Sequence, residues 1–238
     1  MNKKYLYLAL LSIGVVACGE TQSTEETHSA EVETAETVEM VEEVIEDEVE
    51  SEINFSKFDD YATILTKSDL IAEFGEKNLE DKTSWYAEGT VERQSTILNN
   101  PDNGHVVKFV WDGEDNETTS WIEASYYLWN DEFGIEGKQF LETENGLKLG
   151  MSLADLRDWN GDNFRFSGFG WDYAGGVFAN EGSKLADSKV QVTLINDQVN
   201  SNEGFDFMIR DVELHADDEN LKDAPVLVEQ FSIHIDAE

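Results

Sequence analysis

The spacing of apolar positions changes character twice along the chain. From Tyr5 to Ala17 they form one run, "YLYLALLSIGVVA", behind Lys3 and Lys4. From Glu20 to Glu52 they thin to small aliphatics scattered among carboxylates. From Ile53 onward, short aromatic and β-branched runs are separated by Asn, Asp and Gly. The first run is charged and then greasy, and shorter than the roughly 20 residues of a membrane-spanning helix, which predicts a secretory signal. The last texture predicts strands in "SWYAEGTVERQSTIL", "HVVKFVW", "TSWIEASYYLW", "VQVTLI", "FDFMIRDVELH" and "VLVEQFSIHI", with turns at "NNPDNG" and "DGEDNE".

Two segments break this pattern with helical spacing, and they resemble each other. "LTKSDLIAEFG" (65–75) and "MSLADLRDWNG" (151–161) align residue by residue: Thr66 with Ser152, Asp69 with Asp155, Leu70 with Leu156, Gly75 with Gly161. Thr66 and Ser152 are predicted N-caps, with Asp69 and Asp155 three residues on at the positive helix end. Leu65 with Leu70, and Met151 with Leu156, suit a hydrophobic staple, and the glycines suit a left-handed stop. The same register continues without a gap to Trp85 and Trp171, Gly89 and Gly175, and the segments 105–110 and 191–196. Matching elements in one register predict a duplicated unit. The expected fold is therefore α+β: two tandem repeats of helix plus antiparallel sheet, forming a curved sheet with short helices on one face. The expected division is a signal peptide at 1–17, a lipidated acidic tether at 18–52, a first repeat at 53–138 and a second at 139–238.

Charge sharpens the picture of the second stretch. Residues 20–52 carry 14 acids and no base, too little apolar surface to offset chain entropy, which predicts a disordered, self-repelling tether. Val38, Val41, Ile45 and Val49 leave room there for a transient helix. The full chain has a formal charge of −36. Such a surface repels nucleic acid and anionic lipid headgroups. Cationic proteins, divalent ions or plain solubility remain as its purpose.

Cys18 is the only cysteine. It follows Val15-Val16-Ala17, which resembles the lipobox of bacterial lipoproteins. That resemblance implies removal of the signal and lipidation of Cys18. Gly19 in place of the familiar Asp implies an outer-membrane destination, facing the periplasm or the cell surface. With Cys18 acylated, the mature chain would offer no disulfide, thiol nucleophile or thiolate metal site. The segment "GMSLADLRDWNG" (150–161) resembles the helix opening of small outer-membrane assembly lipoproteins of the SmpA/BamE kind, and two such units in tandem resemble the β-lactamase inhibitor protein. These resemblances imply a non-enzymatic, protein-binding or envelope-assembly role. The inhibitor family stiffens its repeats with disulfides, which this chain lacks.

Motifs for catalysis are missing from the sequence. His28, His105, His215 and His234 fall in no metal-binding spacing, and no nucleophile elbow, phosphate loop or dinucleotide fingerprint occurs. "DGEDNE" and "DWNGDN" offer oxygen ligands without the calcium-loop pattern. No catalytic residue, metal or cofactor is expected. What stands out is "FRFSGFGWDYAGG" (164–176). In a strand, Phe164 and Phe166 would share one face and Phe169, Trp171 and Tyr173 the other, with a bend at Ser167-Gly168. One set would enter the core, and the other would face a partner or a sugar, or be core as well. Trp171 has a counterpart in Trp85, so a function private to the second repeat is expected at Phe169, Asp172 and Tyr173 before Trp171. Three readings follow: a lipid-anchored protein that binds another protein, a carbohydrate-binding surface lipoprotein, and a structural envelope protein with weak calcium binding.

Overall fold

The structure is a computed structural model that describes residues 53–171, 173–197 and 204–235. The expected signal peptide, Cys18, the expected tether and Asp172 lie outside the described residues. Residues 50–238 form one compact unit. It is α+β: mostly antiparallel sheet with three short helices among the described residues.

The chain enters through a single 3₁₀ turn, Asp59–Thr63, and helix α1 (Lys67–Phe74). Four strands follow as a meander: β1 (Leu79–Tyr86), β2 (Val91–Asn99), β3 (Val106–Trp111) and β4 (Thr119–Ser125). A small hairpin, β5 (Tyr127–Trp129) and β6 (Ile135–Lys138), precedes helix α2 (Leu153–Asn160). Then come β7 (Phe164–Ser167), β8 (Val177–Ala179), the one-turn α3 (Lys184–Asp187), β9 (Gln191–Asn196), β10 (Glu213–His215) and β11 (Val226–His234). The main sheet has six strands in the order β1-β2-β3-β4-β11-β9, and β10-β7-β8 form a second sheet, joined to β9 by an isolated bridge between Gly176 and Thr193.

Both helices form where expected, for the expected reason. The Thr66 hydroxyl accepts the Asp69 amide at 3.1 Å and donates to the Asp69 carboxylate at 2.7 Å. Ser152 and Asp155 repeat this geometry at 3.1 and 2.7 Å. Gly161 ends α2 in the expected left-handed conformation (φ 75°, ψ 0°), whereas Gly75 ends α1 with φ 76° but an extended ψ of 139°. Each helix entrance is also stitched to a strand. The carbonyl of Leu65 accepts the Thr119 amide of β4 at 2.8 Å, and that of Met151 accepts the Val228 amide of β11 at 2.9 Å. β4 and β11 lie side by side, so these two seams meet at the middle of the sheet.

Alternation along the strands separates two faces. Val107, Phe109, Trp111, Ile122, Phe231, Val192, Leu194 and Val228 point into one core together with Leu70 and Phe74 of α1 and Leu153 and Leu156 of α2. A polar relay running from the core to the surface pins the first half. Trp111 Nε1 donates to the Thr96 hydroxyl at 3.0 Å, which donates to Asp81 at 2.6 Å, and Lys67 reaches the same carboxylate at 2.9 Å. Hydrogen bonds from Lys67 and Thr96 hold the Asp81 pKa below the usual carboxylate range.

Three expectations are corrected. The run "SWYAEGTVERQSTIL" is two strands, not one, because Ala87, Glu88 and Gly89 turn with φ of 46°, 60° and 75°. "FDFMIRDVELH" is mostly not strand: it opens with a 3₁₀ turn at Asp206–Met208 and only Glu213–His215 pairs. The aromatic segment is not a continuous strand, since β7 ends at Ser167. Gly168 sits so close to the next segment that a Cβ would lie 2.4 Å from the Arg210 carbonyl.

Candidate functional site

The sheet face opposite the helices is polar and is flanked by the hairpin. Lys108 pairs with Glu123 at 2.9 Å, and Trp121 Nε1 donates to the other oxygen of Glu123 at 2.7 Å. Tyr86 and His234 pack on either side of Trp121, with ring centroids 5.0 and 5.6 Å away. The Tyr86 hydroxyl is buried without a hydrogen bond of normal geometry, and burial first, then Glu123, pushes its pKa up. Beside this cluster a cleft of about 630 Å³ runs between the sheet and the hairpin, lined by Lys82, Ser84, Lys108, Glu123, Trp129 and Phe133 among others.

The hairpin is anchored by Gln139, whose amide donates to the carbonyls of Val106 (2.9 Å) and Ser125 (2.7 Å) while its oxygen accepts the Val106 amide at 2.9 Å. Its turn is held by Asn130, which accepts the amides of Glu132 and Gly134 at 3.0 and 2.7 Å. This turn forces Phe133 to φ 60° and leaves its ring 86% exposed. A bulky residue in the left-handed region costs stability, which is characteristic of functional positions. Trp129 and Ile135 are exposed on the same hairpin.

A second cleft, of about 390 Å³, lies between the hairpin and the 168–176 turn. Tyr127, Trp129, Ile135, Phe169, Ala174 and Leu194 give it an apolar wall, and Asn196, Asp197 and Glu229 line it as well. Trp129 Nε1 donates to Glu229 Oε1 at 3.1 Å, leaving Oε2 buried without a hydrogen bond of normal geometry. Glu229 is the extra residue of a β-bulge between Val228 and Gln230. Such irregularities re-aim side chains. Desolvation, then the charge of Asp197, push the Glu229 pKa up to about 7.

The structure separates the aromatic residues of 164–176 by role. Phe164 and Phe166 are core. Phe169 is also buried, yet it lines the smaller cleft. Trp171 and Tyr173 stand out of the turn, 59% and 80% exposed. Gly175 makes the turn possible, because with φ 73° a Cβ there would lie 1.9 Å from the Leu194 carbonyl. Asp172 is outside the described residues. The hairpin residues Trp129, Phe133, Ile135 and the polar Asn196 and Glu229 went unnoticed in sequence. Asn130 followed four residues later by Gly134 was the available turn signal.

Of the histidines, His105 is half-buried with Nδ1 3.1 Å from the Tyr61 hydroxyl, and burial lowers its pKa. The acidic clusters cap turns: Asp115 accepts the amides of Glu117 and Thr118 at 2.8 and 3.0 Å, and Asn160 accepts the Leu185 amide at 2.8 Å. Among the described residues no three His, Cys, Asp or Glu gather as a metal-holding group, and no helix is long and apolar enough to cross a membrane. No family model, curated protein or solved structure matches the chain.

Proposed function

We propose that the chain is a lipid-anchored protein of the cell envelope, held at the outer membrane through Cys18 on an acidic tether, that captures another protein without catalysing a reaction. The observation carrying the binding role is the pair of aromatic arms beside the polar sheet face: Trp129, Phe133 and Ile135 on the hairpin, Trp171 and Tyr173 on the turn. Exposed Trp and Tyr are the residues most often found at the energetic centre of protein interfaces. Holding Phe133 both strained and solvated is costly for the free protein, which a partner covering it would offset. The acidic surface favours a partner with a basic rim.

The fold reading that accompanies this proposal is a duplication of one helix followed by antiparallel strands. It is supported by the matched caps of α1 and α2, by Gly89 and Gly175 with φ of 75° and 73°, and by the matched seams to β4 and β11. Affinity capture from membranes with the anchored protein tests the binding role. A triple Phe133→Ser, Trp171→Ser, Tyr173→Ser variant should lose the captured protein while keeping its unfolding temperature. Undiminished capture by this variant sinks the proposal. Mass spectrometry of the N-terminus tests the anchor: an unmodified, uncleaved Cys18 rules it out.

A carbohydrate platform on Trp171 and Tyr173 is the second reading, favoured by the exposure of both rings. Glycan-array binding that disappears in Trp171→Ser would establish it, and a blank array would remove it.

A further inference from the structure

The open face of the six-stranded sheet carries a groove longer than the cleft beside the hairpin. A neighbouring cleft of about 470 Å³ lies over β3, β4, β11 and β9, and Lys108 and Glu123 line both, so the two adjoin at this ion pair. Strand register sets what crosses the floor. One row of paired positions runs Glu80, Ile97, Lys108, Glu123, Ser232 and Gln191, one from each strand, and a second runs Ser125, Gln230 and Thr193. At about 4.8 Å between strands, the first row spans about 24 Å.

Polar residues on one face of an antiparallel sheet are ordinary. This face differs because its charges are paired with one another while its neutral polar groups are not. In a chain of formal charge −36, Lys108 holds Glu123 at 2.9 Å, and Lys82 holds Glu80 at 2.8 Å and Asp131 at 3.4 Å. Among the described residues, Glu136 on the hairpin is the one carboxylate lining the groove without an ion pair. The side chains of Thr193, Gln230 and Ser232 are half-buried in the recess, and none makes a hydrogen bond among the described residues. Aromatic rings line both parts of the groove: Trp129 and Phe133 from the hairpin, and Trp121 between Tyr86 and His234.

We propose that this groove binds a neutral oligosaccharide, its hydroxyls bonded to Thr193, Gln230 and Ser232 and its ring faces packed on Trp121 and Trp129. The lining selects this class. A polyanion is opposed by the charge of the whole chain. A cation meets Glu80, Asp131 and Glu123 already held by lysines. An apolar ligand would cover the hydroxyl and amide groups without bonding them, which costs free energy. A sugar chain offers both donors and acceptors to such groups, together with C–H faces that suit aromatic rings. The width of the floor calls for several linked units instead of one.

This site is separate from Trp171 and Tyr173 on the turn, and it does not rest on protein capture. The full chain is titrated with maltohexaose, cellohexaose and chitohexaose, with glucose and N-acetylglucosamine as single units and with hexagalacturonate as the anion, following the amides of Glu123, Thr193 and Ser232 by NMR. At least one neutral hexamer should shift those amides and bind about tenfold or more above its own single unit, and the galacturonate should not bind. A double Gln230→Ala, Ser232→Ala variant should weaken that hexamer about tenfold, while Trp171→Ser should leave it unchanged. Silence of all three neutral hexamers at about 10 mM overturns the proposal and leaves protein capture untouched. Binding lost in Trp171→Ser and kept in the double variant also overturns it, placing the sugar on the turn. The shifts in the unmutated protein decide the matter even where the double variant does not fold.

Discussion

The half of the molecule behind α1 and the half behind α2 start identically and then diverge. Both helices are capped by a hydroxyl and an Asp in the same geometry, and both entrances are stitched to a neighbouring central strand. After α1 the chain lays down four strands in one meander. After α2 it leaves the main sheet: β7 pairs with β8 on one side and β10 on the other, and only β9 and β11 return. The excursion carries the 168–176 turn out beside the hairpin, where it forms one wall of the smaller cleft. The open-face carboxylates differ in the same way. Glu123 of β4 has Lys108 at 2.9 Å, whereas Glu229 of β11 makes no ion pair among the described residues. Clefts occur on both sides of this divide: the larger is lined by residues of the first half, and the smaller by Tyr127, Trp129 and Ile135 of the hairpin together with Phe169, Leu194 and Glu229.

The sharpest break between the halves should come at the paired glycines. Gly89 and Gly175 have nearly the same φ, but a Cβ meets nothing within 4 Å at Gly89 and strikes the Leu194 carbonyl at 1.9 Å at Gly175. Gly175→Ala should cost about 3 kcal/mol or more in urea unfolding, against about 1 kcal/mol for Gly89→Ala. Equal costs would mean that the two turns are not structurally distinct.

Next in size is the pH dependence contributed by Glu229. Its folded pKa of about 7 lies above the ordinary value near 4.5, so between these values the folded chain holds a proton that the unfolded chain has released. Raising pH through this window therefore favours unfolding. After allowing for partial exposure of the group, the loss should be roughly 1–2 kcal/mol, complete above pH 7 and absent below about 4.5. Glu229→Gln should flatten this part of the stability profile, measured by thermal unfolding across pH; an unchanged slope would refute the assignment.

The caps should then behave as equals. Thr66→Ala and Ser152→Ala should each cost about 1 kcal/mol, because each removes one acceptor for a helix amide. A cost confined to one of them would separate the two helix entrances that the geometry presents as twins. The smallest effect has the opposite sign. Phe133→Gly relieves the left-handed strain and should raise stability by about 0.5–1 kcal/mol while weakening partner capture, read by unfolding and pull-down on the same preparation.

How much of this was legible follows from how local each cause is. Thr66, Asp69, Ser152, Asp155 and the closing glycines act within one helical turn, so their residue types alone located both helices. Strands with strong alternation, such as Val106–Trp111 and Val226–His234, were equally readable. "FDFMIRDVELH" misled because its apolar residues serve packing around Gly168 and not a ladder: Met208 and Leu214 are buried in the core, and the carbonyl of Met208 accepts the Phe169 amide at 2.7 Å. The aromatic segment misled for a related reason. A period of two is meaningful only while the backbone stays extended, and the backbone stops being extended at Ser167.

Capping, turn-making and core alternation depend on neighbours a few residues apart, and the sequence by itself determined them, together with the α+β class. The sheet order, the position of β11 between β4 and β9, and the meeting of Tyr127, Phe169, Asn196 and Glu229 around one cavity depend on contacts between residues far apart in the chain, some by more than a hundred positions. No local pattern encodes these, because they are set by which hydrophobic faces bury one another. Only the tertiary structure could decide them.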